Sequence, residues 1–136
     1  MNKNKGFTLI ELIITVAIIG ILAAVATSLY ESQSKKQRRS DAVVALTTAQ
    51  TEMEQYRSDN GVYATAGLVT TTSPKAYYTV SVAIANSGEN YTLTAEAAVG
   101  KAQYDDTNCR KFIVTDIGQY STEKADGSAS TNCVQM

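Results

Sequence analysis

The strongest constraint on this chain is an apolar run near its start. From Leu12 to Tyr30 no residue is charged, and Ile, Leu, Val and Ala dominate. Wound as a helix at about 1.5 Å per residue, the run reaches roughly 28 Å, close to the hydrocarbon thickness of a bilayer. One carboxylate, Glu11, stands at its beginning, behind a short polar leader, Met1 to Gly6, that carries Lys3 and Lys5. Of 136 residues, about a hundred are left for a soluble part, enough for one small core.

The helical pattern continues past the apolar run. No proline occurs before Pro74, and Gly20 is the only glycine between Gly6 and Gly61. Ala42, Val43, Leu46, Ala49, Met53 and Tyr56 follow at three- and four-residue steps, one face of an amphipathic helix. Asp59-Asn60-Gly61 supplies the stop, with a residue able to take the left-handed conformation that closes helices. A single helix from Phe7 to Ser58 would be about 78 Å long. A domain of a hundred residues cannot bury that length, so lipid or other copies must solvate its first half. Within the span, Gly20 is the weakest point, costing about 1 kcal/mol relative to Ala.

From Gly61 the period changes. Ala64 to Lys75 is small, polar and threonine-rich, a surface connection. Tyr77 to Ile84 alternates as a strand, Asn86 to Asn90 is a turn, and Tyr91 to Glu96 is a second strand closing a hairpin. Lys111 to Thr115 is a third strand. A short fourth lies around Gln119 to Ser121, followed by a flexible loop over Glu123 to Asn132. The expected fold is α+β: a long N-terminal helix whose second half packs on one antiparallel sheet of about four strands.

Composition excludes several functions. There is no histidine, the commonest general base, and no Ser or Cys has an activating neighbour, so catalysis is not expected. The two cysteines, Cys109 and Cys133, match no zinc spacing. Behind an export signal the pair reads as a disulfide, the alternative being two unrelated reduced thiols. Asp105, Asp106 and Asp116 lack a recognisable calcium-ligand spacing. No cofactor or metal is implied. Net charge is −1, and removing Lys3 and Lys5 makes the remainder more acidic. The one basic cluster is Lys35, Lys36, Arg38 and Arg39. Such a cluster can touch phosphates, which makes nucleic acid a possible partner with no second signal to support it. The plainer reading is a solvated or partner-facing turn of helix just beyond a membrane span.

A conventional secretory signal is the rival reading of the N-terminus, with Ala24-Val25-Ala26 as its cleavage site and a soluble binding domain starting at Thr27. Against it stand Glu11 and the length of the apolar run.

The segment Lys5-Gly6-Phe7-Thr8-Leu9-Ile10-Glu11-Leu12, followed by the apolar run, resembles the prepilin signature of type IV pilins. More loosely, Tyr56, Asn60, Gly61 and Tyr63 look like that family's helix exit, Tyr91 to Ala95 like its second strand, and Cys109 to Cys133 like its disulfide-closed C-terminal loop. The compact size resembles the minor pilins of the type IVa system, a major pilin being the alternative. The resemblance implies a leader over residues 1–6, a transmembrane and filament-core helix over 7–30, and a head over 31–136 that includes the helix to about residue 58. It also implies cleavage by a prepilin peptidase after Gly6, N-methylation of Phe7, and docking into the filament through Glu11. Cys109 and Cys133 would bound the loop at the filament surface. Implied partners are other pilins, the peptidase, the inner-membrane assembly machinery and, before assembly, membrane lipid. The implied location is the bacterial inner membrane, crossed once with the head outside the cytoplasm, and then the extracellular pilus, serving twitching, adhesion or DNA uptake. A type II secretion pseudopilin shares the N-terminal signature and is the alternative.

This sequence departs from the family pattern twice. It has Ser28 about where the family carries proline, so the helix is expected to continue through Ser28. It has Val134 where the family often has an aromatic.

Overall fold

The computed structural model describes residues 7–133. The leader Met1 to Gly6, and Val134 beyond the second cysteine, lie outside the described residues. The chain divides after Ser34 into two compact units, the stem before it and the head after it, and a single helix, α1 (Leu9–Asn60), contributes to both.

The helix begins at Leu9, not Phe7, because Thr8 caps it. Glu11 Oε2 accepts the Thr8 N–H at 2.9 Å and the Thr8 hydroxyl at 2.7 Å, while Thr8 Oγ1 accepts the Glu11 N–H at 3.4 Å. This reciprocal capping box satisfies helix-end donors that would otherwise stay open. The backbone stays helical through Gly20 and Ser28, as expected where no proline removes a donor. In the stem, the large apolar side chains from Leu9 to Leu29 are 52–78% exposed.

In the head, α1 ends at Asn60, two residues beyond the expected Ser58. Gly61 takes φ +80° and its N–H reaches the Arg57 carbonyl at 2.7 Å, the closure that a left-handed glycine permits. Four strands follow: β1 (Tyr78–Ala85), β2 (Asn90–Ala97), β3 (Lys111–Thr115) and β4 (Tyr120–Glu123). They form one antiparallel meander in the order β1-β2-β3-β4. Register sets the faces: Val80↔Ala95↔Phe112 and Val82↔Leu93↔Val114 point to the helix, while Ser81↔Thr94↔Ile113 and Thr79↔Glu96↔Lys111 point away. The core joins Ala42, Ala45, Leu46, Ala49 and Met53 of α1 to Tyr78, Leu93, Ala95, Phe112 and Val114. Three alanines on the helix let the sheet approach closely. Two of the residues expected on that face, Val43 and Tyr56, are only half-buried at its margins.

The fourth strand starts later than expected. Gly118 takes φ +75°, and Thr115 N–H reaches the Gln119 carbonyl at 3.1 Å, so Gln119 still belongs to the turn. The expected flexible loop after β4 is in part a tight turn. Lys124 N–H bonds the Ser128 carbonyl at 2.9 Å and Ser130 N–H bonds the Thr122 carbonyl at 2.8 Å, with a bridge Glu123↔Ala129. This turn covers the outer edge of β4. The outer edge of β1 is covered at its start, by Val80 N–H on the Thr71 carbonyl (2.9 Å), Ser73 N–H on the Tyr78 carbonyl (2.9 Å) and a bridge Thr72↔Thr79. The connection that supplies this cover is itself held by Glu52, which accepts the Val69 and Thr70 N–H groups at 2.9 and 2.8 Å and the Thr70 hydroxyl. Cys109 and Cys133 form the disulfide, with Cα atoms 5.7 Å apart.

Candidate functional site

Two places in the chain carry chemistry beyond folding, and the first is the start of α1. The helix is long and apolar enough to cross a membrane, and nothing within the stem covers its side chains. Exposed apolar surface on that scale requires lipid or a protein partner. Phe7 is exposed, and Glu11 keeps its carboxylate on Thr8. Gly6, the residue before the expected cut, lies outside the described residues.

The second place is the end of the head where Lys35 lies. Antiparallel register brings the start of β1, the end of β2, the start of β3 and the end of β4 to this one end. The segment between β2 and β3, which sequence patterning left unassigned, forms a short 3-10 turn, Ala102–Asp105, that docks on the first turns of the head helix. Arg39 makes a bidentate ion pair with Asp106, Nε to Oδ2 at 2.7 Å and Nη2 to Oδ1 at 3.1 Å. Asp106, 3% exposed, also accepts Gln103 Nε2 at 2.8 Å. Lys35 Nζ donates to the Asp105 carbonyl at 3.3 Å. The basic cluster therefore divides. Lys35 and Arg39 are engaged within the chain, which corrects the expectation of Arg39 as a solvated or neighbour-pairing cation. Lys36 is exposed, and the Arg38 guanidinium lies over the Tyr77 ring at 5.4 Å. Asp116 is at the opposite end of the sheet, accepting Asn90 Nδ2 at 2.8 Å, so it does not join Asp105 and Asp106 in one place.

Charge is segregated along the head. Lys75, Lys101, Arg110, Lys111 and Lys124 all sit at the Lys35 end, beside Lys36 and Arg38. Acidic groups share that end: Asp106 pairs with Arg39 and Glu96 with Lys111 at 3.8 Å, and Asp41, Asp105, Glu123 and Asp126 lie there too, leaving an excess of positive charge. At the Gly61 end Arg57 is the single basic residue among the described residues, near Glu54 and Asp116 and with Asp59 and Glu89 at the same end. Arg57 is held by Tyr63, its Nη1 donating to the Tyr63 hydroxyl at 2.9 Å, while that hydroxyl donates to Glu54 at 2.8 Å. Burial, then the Glu54 charge, pushes the nearby Tyr91 phenol up to about 12, so it remains a neutral donor toward Glu54, 3.4 Å away.

Sequence reasoning found the cluster at 35–39 but missed Arg110, whose guanidinium stacks on Tyr104 at 3.6 Å. The available signal was Arg110-Lys111 directly after Cys109, a basic pair tied to the only disulfide position.

The chain matches two family models: the prokaryotic N-terminal methylation motif over residues 1–27, and the type IV minor pilin ComP, DNA uptake sequence receptor, over residues 28–113. It is 36% identical to the fimbrial protein EcpC of Eikenella corrodens over 88% of this chain and 81% of the relative. It is 33% identical to the type IV major pilin PilE of Neisseria gonorrhoeae over 68% of this chain, spanning 58% of that relative's length. Among solved structures it resembles a type IV pilin from Shewanella oneidensis, at TM-score 0.54 and 26% identity over 75% of this chain and 99% of the other. It shares its fold with the Neisseria meningitidis minor pilin PilV, at TM-score 0.56 and 20% identity over 73% of this chain and 96% of the other. A capped apolar stem, a disulfide-tied four-stranded head and these matches lead to one assignment: the chain belongs to the type IV pilins, in the family of the minor pilin ComP, and is a structural, non-enzymatic pilus subunit.

Proposed function

We propose that this chain is a minor pilin whose head receives double-stranded DNA on its Lys35 end. In this reading residues 1–6 are the leader, cut after Gly6, and Phe7 becomes the methylated N-terminus. Residues 7–30 span the inner membrane once and then join the filament core, and the head from about residue 31 lies outside the cytoplasm. Glu11 guides docking by pairing with the Phe7 amine of a subunit already assembled. Two charges in an apolar layer neutralise each other only in the right axial register, so mismatch is penalised by several kcal/mol.

One observation carries the DNA reading: every basic residue of the head except Arg57 lies at one end, where they outnumber the acidic groups, with Lys36, Arg38, Lys75, Lys101 and Lys124 free of ion pairs among the described residues. Cations grouped on one face release counterions from a phosphate backbone, whereas scattered ones do not. Membership of a family described as a DNA uptake sequence receptor supports the same reading.

The test is direct. The full chain in detergent micelles is titrated with labelled duplex DNA across salt concentrations. Binding whose logarithm falls linearly with log salt, at about −0.9 per phosphate contacted, and a weaker slope in the Lys36→Gln/Lys101→Gln double variant, are expected. Binding indifferent to salt, or absent at low salt, rules the reading out.

A further inference from the structure

Arg110 differs from the unpaired lysines of the Lys35 end in being held in place, and from Arg39 in having no carboxylate partner among the described residues. Its backbone is fixed on both sides, the N–H on the Glu123 carbonyl at 2.9 Å and the carbonyl under the Ala97 N–H at 3.0 Å. The residue before it is Cys109, tied to Cys133. Its guanidinium lies flat on the Tyr104 ring at 3.6 Å, and Tyr104 is anchored in turn by its N–H on the Lys101 carbonyl at 2.9 Å. No carboxylate among the described residues lies within ion-pair distance of Arg110, and its buried Nε has no hydrogen-bond partner. A half-buried guanidinium stacked on a ring and short of acceptors is prepared for one kind of ligand, a paired oxygen or oxygen–nitrogen acceptor edge. By contrast Lys36, Lys101 and Lys124 are flexible point charges.

Resting on the DNA reading above, we infer that Arg110, positioned by Tyr104, is the anchoring contact of the head with DNA, delivering a bidentate hydrogen bond to a phosphate or to a guanine edge. The surrounding lysines contribute attraction without geometry. Tyr104 is a positioning residue, because it acts through the orientation of Arg110.

Arg110→Gln, Arg110→Lys and Tyr104→Leu are prepared in the full chain in detergent, with melting curves and the disulfide checked by mass to exclude misfolding. Each is titrated with two fluorescent duplexes of equal length, one containing G·C pairs and one made only of A·T. Loss of a bidentate contact is expected to weaken binding about tenfold in Arg110→Gln. Arg110→Lys should not restore it, Tyr104→Leu should fall between, and Lys124→Gln should cost less than Arg110→Gln. If the acceptor is phosphate, the loss is equal for both duplexes and the salt slope shrinks by about one. If it is guanine, the loss is confined to the G·C duplex and the slope hardly moves. Wild-type affinity in Arg110→Gln, or full rescue by lysine, overturns the inference while leaving DNA binding by the head intact. Failure of the wild-type chain to bind either duplex removes the DNA reading and this inference with it.

Discussion

The stem and the head share one helix and treat it in opposite ways. In the head, α1 buries a face of small side chains under a sheet, and Leu46 and Met53 have no exposed surface. In the stem the same element shows Ile and Leu all round, with none of them covered. The head thus buries its own core, while the apolar surface of the stem is left for lipid or a protein partner to cover. Helix propensity alone does not distinguish the two halves; what they bury does.

The largest expected effect separates assembly from folding. Glu11→Val should leave the head's melting temperature unchanged and cut incorporation into filaments at least tenfold in competition with wild type, as a registry penalty of several kcal/mol implies. Because Glu11 also completes the Thr8 capping box, Glu11→Gln sharpens the point. Glutamine preserves the cap without the charge, so incorporation restored by glutamine would make Glu11 a cap and not a docking carboxylate. Next comes one deletion made in both regions. Leu46→Ala should destabilise the head by about 2–5 kcal/mol, whereas Leu22→Ala should change its melting by less than about 0.5 kcal/mol. Equal effects would mean that the two regions are not energetically separate.

The disulfide belongs to the head alone. Removing it with Cys109→Ser should cost about 3–4 kcal/mol in the chain-entropy model, read as a fall in melting temperature that reductant reproduces in the wild type and not in the variant. A pair of glycines sharpens the contrast further. A Cβ at Gly67 would lie 2.8 Å from Tyr56 Cβ and Cγ, so Gly67→Ala should destabilise by about 1–3 kcal/mol. Gly20 has open space around it, and Gly20→Ala should stabilise the stem helix by about 1 kcal/mol, seen as slower amide exchange near residue 20.

The smallest effect is a pH dependence at Glu52. Burial raises its pKa, but the Thr70 hydroxyl, the Thr70 N–H and the Val69 N–H together outweigh it and hold the carboxyl below its ordinary 4.5. A depressed folded-state value stabilises the folded connection above the unfolded-state pKa, and that contribution is lost as pH falls through the folded value. Amide exchange at Val69 and Thr70 should therefore quicken below about pH 4.5 relative to the core strands, and Thr70→Val should lessen the difference. An exchange ratio flat across that range would show that Glu52 does not hold the connection.

Much of this fold was legible because two periods dominate it. The apolar run, the three- and four-residue steps from Ala42 to Met53 and the alternation through β1 and β2 each state their environment residue by residue. Gly61 marked the helix end because only glycine enters positive φ cheaply. Less legible was whatever depended on distant partners. The 97–110 segment has no period, since its order comes from docking on Arg39 and from the disulfide. The basic cluster looked uniform in sequence, yet Arg39 differs from Lys36 because Asp106, far along the chain, faces only one of them. Arg110, just ahead of the strand read from Lys111, drew no reading from the sequence because what sets it apart is the Tyr104 ring beneath it.

The covers on the two outer strands of the sheet have a consequence for crowding. A filament surface holds its heads at a local density far above that of free protein in solution, where any strand with open amides would pair with the next head and lock irreversibly. Thr71–Ser73 along the start of β1 and Ser128–Ser130 along β4 occupy those edges, so there a neighbouring head finds side chains in place of open amides. Heads guarded in this way can crowd together without fusing into one sheet.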